Sequence, residues 1–242
     1  MTSAEPEMTR AHTDREYDLQ LRQVRDKLLL MAGHVETMIA SSIKALVERD
    51  VNLARRTIDN DHKVNQAEIE TDELCLQILA RRQPMASDLR FITLALKMVT
   101  DLERIGDLAV NICERAIQLA SEPALRNYDD IQRTADLVQS MVRDAIDAFV
   151  QADDQKAQAV IARDDEVDEL YHQFFRDILQ LMLRDSSTIQ RGIHIQSVAK
   201  WLERIADHST NLAELVVFMV NGKDIRHVNH LSSHPKKAVD QG

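Results

Sequence analysis

Two stretches one hundred residues apart carry the same acidic pattern: LERIGDLAVN at 102–111 and LERIADHSTN at 202–211. Each sets a Glu and an Asp four apart (Glu103 and Asp107, Glu203 and Asp207). An Asn follows four residues on (Asn111, Asn211), and then a Glu (Glu114, Glu214). On a helix, the three acids of each copy fall in a narrow stripe with the Asn beside it. In the first copy Leu102, Ile105, Ala109, Ile112 and Ala116 take the opposite side. The plainest explanation is the wet face of an amphipathic helix. Three observations weigh against it. Acids at i and i+4 repel. The arrangement recurs although its surroundings have diverged, Gly106 against Ala206 and Leu108 against His208. And an upstream segment of each copy has its own acidic spacing: Asp164 and Asp168, with Asp61 and Asn65 as the weaker counterpart, continued by Glu68 and Asp72.

If the two segments of a copy lie side by side, their carboxylates converge. Unpaired carboxylates held together are costly unless they share a proton or bind a cation. One oxygen-rich cation site per copy is therefore expected. Of the divalent and trivalent candidates, Fe, Mn, Mg and Zn, hard oxygen ligands with amide support suit Mg, Mn or Fe rather than a thiolate-type Zn site.

The elements that must position these residues follow from composition and periodicity. The 242 residues are 44% hydrophobic but only 4% aromatic, with five Gly and four Pro, which is the make-up of packed helices. The pattern at offset 100 extends upstream at offset 103, where ALVERDVNLARRTIDNDHKVNQ from Ala45 matches AFVQADDQKAQAVIARDDEVDE from Ala148. Asp61 then falls on Asp164, Val64 on Val167 and Asn65 on Asp168. Apolar spacing predicts three helices per copy: 19–48, 51–82 and 87–119, then 130–152, 154–184 and 188–220. Arg49-Asp50 marks a break, Pro84 stops the second helix, Pro123 marks the link between copies, and Gly222 is a stop. The expected fold is all-α, two tandem pseudo-symmetric three-helix bundles at 14–122 and 126–222, with disordered tails at 1–13 and 223–242.

A net charge of −10 argues against nucleic-acid binding and against adhesion to anionic lipid. The opening residues have no apolar core of a signal peptide, and the apolar stretch LAELVVFMV carries Glu214 and is too short to span a bilayer. The chain is read as cytoplasmic, without membrane insertion. Cys75 and Cys113 have no pairing or metal-ligand spacing and are expected as buried reduced thiols. Arg104 and Arg204 read as solvated, Asp88 as a helix-start acid, Trp201 as packing, and His227, His230 and His234 as solvated tail residues.

RRQPMASDLR at 81–90, followed by DLERIGDLAVNICERA at 101–116, resembles the hallmark of the PhoU family of phosphate-transport accessory proteins. LERIADHSTNLAE and GKDIRHV resemble it too, and the likeness runs from about Tyr17 to Val228. The resemblance implies metal clusters on the bundle surface, held by Glu103 and Asp107 and by Glu203 and Asp207. Asp164 and Asp168 match the accessory pattern; Asp61 matches as well, but its partner Asn65 departs from it and brings no charge. It also implies a non-catalytic negative regulator of the phosphate-starvation response that restrains phosphate uptake. Its partners would be the ATPase subunit of the phosphate ABC transporter and a sensor histidine kinase, reached as a homodimer at the membrane periphery. Two rivals stand beside it. A ferritin-like di-metal oxidase finds Glu169-x-x-His172 but lacks Glu-x-x-His on the third helices. A purely structural scaffold would tolerate Lys at the four motif acids.

Overall fold

The computed structural model describes residues 6–222, and among these there are helices and no strands. The first half comprises α1 (Pro6–Glu48), α2 (Val51–Asp59), α3 (His62–Arg82) and α4 (Ala86–Leu119). The second half repeats the plan as α5 (Asp129–Gln151), α6 (Asp154–Ile161), α7 (Asp164–Arg184) and α8 (Ile189–Asn221), with a single 3-10 turn at Ser186–Thr188 before α8. The all-α architecture of two similar three-helix units is as expected, with two corrections.

First, the middle helix of each unit is interrupted. Around Asn60 the backbone tightens to i→i−3 bonds, Asn60 N to Thr57 O (3.2 Å) and Asp61 N to Ile58 O (3.1 Å), and Arg163 N to Val160 O (3.0 Å) repeats this in the second unit. Asp and Asn are weak in helix interiors because their side chains compete for backbone groups. The first interruption also leaves the Asp59 carbonyl to the His62 ring, Nδ1 lying 2.5 Å from it. Each interruption falls just before the acidic pair, so Asp61 and Asp164 stand at the entrance to a new helix.

Second, α1 begins at Pro6, so residues 6–13 are helical rather than disordered; proline suits a first helical turn, where no N–H partner is needed. The expectations for 1–5, 223–242 and the three tail histidines lie outside the described residues.

The joints between the first two helices of each unit match in detail. Arg49 and Ala152 both take left-handed backbone (φ 60 and 51). The next residue, Asp50 or Asp153, caps the following helix by accepting from Leu53 N (2.9 Å) or Lys156 N (3.0 Å). Arg49 also donates to the carbonyls of Leu119 and Ala120, closing the end of α4.

Leu102, Ile105, Ala109 and Ile112 of α4 are buried, as are Leu202, Ile205, Ala206 and Ala213 of α8. They belong to one apolar core that runs through both units. α4 packs on α8, and α1 on α5. The α4–α8 pair is antiparallel: Asp101 lies 2.8 Å from His208, Arg90 donates to the Met219 carbonyl (3.2 Å), and Arg115 lies over the Trp201 ring. Trp201 is thus half-buried packing at this junction.

Candidate functional site

In the first unit Asp61, at the N-cap of α3, and Asn65 on α3 face Glu103 and Asp107 on α4. The approach is set by Gly106, whose missing Cβ would sit 3.4 Å from Val64 and 3.6 Å from Asp61 Oδ1. Asn65 donates to Asp61 Oδ2 at 2.8 Å, while Asp61 Oδ1 and Asn65 Oδ1 are buried without a hydrogen-bond partner. Burial, and then the Asp107 charge, raises the Asp61 carboxyl, which the Asn65 bond partly offsets. Glu103 is raised by burial and then by Asp107; Glu68 is raised by burial and then by Asp72. Arg104 lies 3.4 Å from both Glu103 and Asp107, on the exposed side.

The second unit gathers a larger charge. Asp164 is raised by burial and then by Asp168. Asp207, open to solvent along one edge, is pushed up to about 6 by desolvation, with Glu203 and Asp164 adding to it. Glu203 is pulled two ways: Oε1 takes Lys200 Nζ at 2.5 Å, while Oε2 is buried with no partner.

The eight expected residues fall into two groups, one per unit, in which the carboxyls of Asp61, Glu103, Asp164 and Asp207 are raised in part by neighbouring carboxylates. Among the described residues, however, no group of three or more His, Cys, Asp or Glu is gathered closely enough to hold a metal ion with the side chains as they stand. The donor set fits a hard cation, since it offers carboxylate and amide oxygens, some buried and unpartnered. Closing on a cation would require side chains to rotate.

Other members of the acidic pattern go elsewhere. Glu114 is exposed and Glu214 is buried, so they share no environment. Asn111 and Asn211 line a cleft of about 410 Å³ between α4 and α8, together with Arg104, Arg204, Asp107 and Asp207. Glu169 and His172 are both exposed on α7. Sequence reasoning overlooked Lys200, one turn before Glu203, and Thr210, which comes up to Asp164 with its hydroxyl buried but makes no regular hydrogen bond. The i, i+3 spacing of Lys200 and Glu203 was the available signal. Cys75 and Cys113 are buried, their thiols pushed up to about 12 by desolvation, which keeps them protonated and inert.

Comparison with known proteins agrees with the fold. The family model described as PhoU domain matches residues 28–116 and 131–216, one match per unit. A Pseudomonas putida protein named phosphate-specific transport system accessory protein PhoU homolog is 42% identical over 218 residues, 90% of this chain and 85% of that one. The Escherichia coli K12 phosphate-specific transport system accessory protein PhoU is 35% identical over 220 residues, 90% of each chain. The crystal structure of PhoU from Pseudomonas aeruginosa superposes with a TM-score of 0.83 at 41% identity, covering 86% of this chain and all of that one. That of the phosphate transport system regulatory protein PhoU from Streptococcus pneumoniae gives 0.80 at 27% identity, covering 86% and 99%.

Proposed function

The chain belongs to the PhoU family, and from that premise we propose that it is a non-catalytic accessory protein of phosphate transport, a negative regulator of the phosphate-starvation response and of phosphate uptake. The observation that carries this is the end-to-end likeness to curated relatives named as accessory proteins of the phosphate-specific transport system. It acts as a cytoplasmic adaptor, in homodimeric form, between the ATPase subunit of the transporter and a sensor histidine kinase, docking at the membrane periphery. Among the described residues no helix is long and apolar enough to cross a membrane, in keeping with peripheral docking.

Cations belong to the same proposal. Asp61, Asn65, Glu103 and Asp107 would hold one in the first unit; Asp164, Asp168, Glu203 and Asp207 would hold one in the second. A bound cation supplies charge neutralisation. The residues themselves supply oxygen donors whose mutual repulsion in the empty state favours occupancy. Fe, Mn, Mg or Zn are the candidates.

Phosphatase reporter activity in phosphate-rich medium tests the regulatory role. A strain lacking the protein should show high activity, returned to low by the intact gene. Activity that stays low without the protein overturns the role. Metal content of the purified chain, read beside Glu103→Lys and Glu203→Lys variants, tests the cations separately; metal retained in both variants removes them from the proposal.

A further inference from the structure

The interruption between α2 and α3 does more than place Asp61. Beside it lies a small cavity of about 100 Å³. Its polar walls are His34, Thr37 and Ser41 of α1, Asn60 of the interruption and Lys63 of α3, over a floor of buried Met38 and Thr57. Among the described residues no carboxylate lines it. Thr37 and Thr57 donate to carbonyls of their own helices, Gly33 at 2.8 Å and Leu53 at 2.9 Å. The side chains of His34, Ser41, Asn60 and Lys63 have no hydrogen-bond or ion-pair partner among the described residues. The acids nearest in sequence on either side are engaged elsewhere, Glu36 with Arg143 at 2.9 Å and Asp61 with Asn65 at 2.8 Å.

The second unit shows what such a place can hold. At the repeat offset of 103, Thr37, Ser41 and Asn60 fall on Ser140, Asp144 and Arg163. The buried residues around them match at the same offset: Val35 with Val138, Met38 with Met141, Ala54 with Ala157 and Val64 with Val167. There Arg163 donates to Ser140 Oγ at 3.0 Å and to Asp144 Oδ2 at 2.6 Å, and Lys156 stands 3.6 Å from Asp144 Oδ1. An internal carboxylate, held by two cations, thus sits between α5 and the second interruption. The first unit keeps a cation, Lys63, and the polar donors, but the carboxylate position is the hydroxyl of Ser41.

We propose that the first unit's cavity binds a small inorganic oxyanion, which takes the place that the Asp144 carboxylate holds in the second unit. Lys63 supplies the positive charge, and Ser41, Asn60 and His34 supply hydrogen bonds to the oxygens. The cavity is well below the roughly 300 Å³ of a small-molecule site, which excludes a nucleotide. Donors from α1, the interruption and α3 surround a tetrahedral ion more fully than a flat carboxylate. A divalent cation would meet Lys63 and no carboxylate ligand, so it belongs with the acidic clusters instead.

The site does not depend on the regulatory role, since binding is read on purified protein whatever the reporter shows. The probe is inorganic phosphate, with sulfate and acetate beside it, titrated calorimetrically into the full chain. Prior treatment with chelator ensures that no bound metal contributes. Saturable binding of phosphate or sulfate, one ion per chain, is expected. Lys63→Gln should weaken it about tenfold, the worth of one hydrogen bond to a charged group. Ser41→Asp, which gives the first unit the second unit's carboxylate, should abolish it. Glu166→Gln, at the place equivalent to Lys63 in the second unit, should leave it unchanged. A circular dichroism melt checks that the variants fold, and Lys63→Gln, on an exposed side chain, carries the test if Ser41→Asp does not. Three results would overturn the proposal. One is heat that does not saturate in the millimolar range. Another is binding that neither Lys63→Gln nor Ser41→Asp weakens. The third is acetate bound as tightly as phosphate and sulfate, which would make the cavity a seat for an acidic side chain of another protein.

Discussion

The two units share a plan but not a charge state. The first cluster is diluted, with Asn65 donating to Asp61 and Arg104 leaning over Glu103 and Asp107. The second has Asp168 where the first has Asn65, and its counter-charge, Lys200, reaches only one oxygen of Glu203. Their tips differ too. α1 braces the first through Tyr17 to Asp88 (3.0 Å) and Glu16 to Arg82 (2.8 Å). The interunit link braces the second through Arg126 to Asp177 and Arg191 to Glu122. Duplication preserved the backbone, down to matching left-handed joints, while the surface chemistry was free to separate.

The largest expected effect probes what the units share. Ile105→Ala and Ile205→Ala, at equivalent fully buried positions, should each cost about 2–5 kcal/mol. Because the core is continuous, both should lower one common unfolding transition in urea. Two separate transitions, each moved by only one variant, would break the picture of a single core.

Next comes the asymmetry of the clusters. Asn65→Asp gives the first cluster the carboxylate count of the second. Its Mn affinity in titration calorimetry should rise about tenfold, since added ligand charge tightens oxygen sites. If affinity is unchanged, the Asn is not what separates the two clusters.

A smaller effect follows from Asp207. Its folded-state pKa, near 6, stands above the ordinary carboxylate value. The folded chain then holds more protons than the unfolded chain between about pH 4 and 6. In chelator-treated protein this destabilisation is full above pH 6 and is relieved as the pH falls towards 4. Solvent screening limits it to about 1 kcal/mol. Asp207→Asn should flatten that slope, and Asp61→Asn in the first unit, where the raised carboxyl is partly relieved by Asn65, should flatten it less. Equal slopes in the two variants would make the clusters electrostatically alike. Smallest of all, His208→Ala removes the contact with Asp101 across the units and should cost under about 1 kcal/mol in the same denaturant assay.

Six helices were legible because long apolar periodicities, Pro84, Gly222 and the Arg49-Asp50 joint all agree. The interruptions at Asn60 and Ala162 were not, because neither site has Pro or Gly and the change is one turn of tighter hydrogen bonding. The early start of α1 was hidden by a polar stretch, PEMTRAHTDREYDLQ, with no apolar stripe. For the site, i, i+4 spacing was enough to pair Glu103 with Asp107 and Glu203 with Asp207. Convergence on the neighbouring helix depended on the small residues Gly106 and Ala206 lying between those acids. Asn111 and Asn211 turned towards the α4–α8 cleft because the antiparallel crossing of those helices, invisible to any single periodicity, claims that side.

The packing of α4 against α8 bears on synthesis. A ribosome that has released residues up to about 122 has made a complete three-helix unit. Yet α8, which covers one face of its last helix, is still unmade. The first unit must therefore wait, with apolar surface open, for roughly a hundred further residues. This is the interval in which a nascent chain is most exposed to chaperones and to misassembly. The halves are two copies in sequence but one body in folding, and severing them between α4 and α5 would leave each with an open face rather than yield two domains.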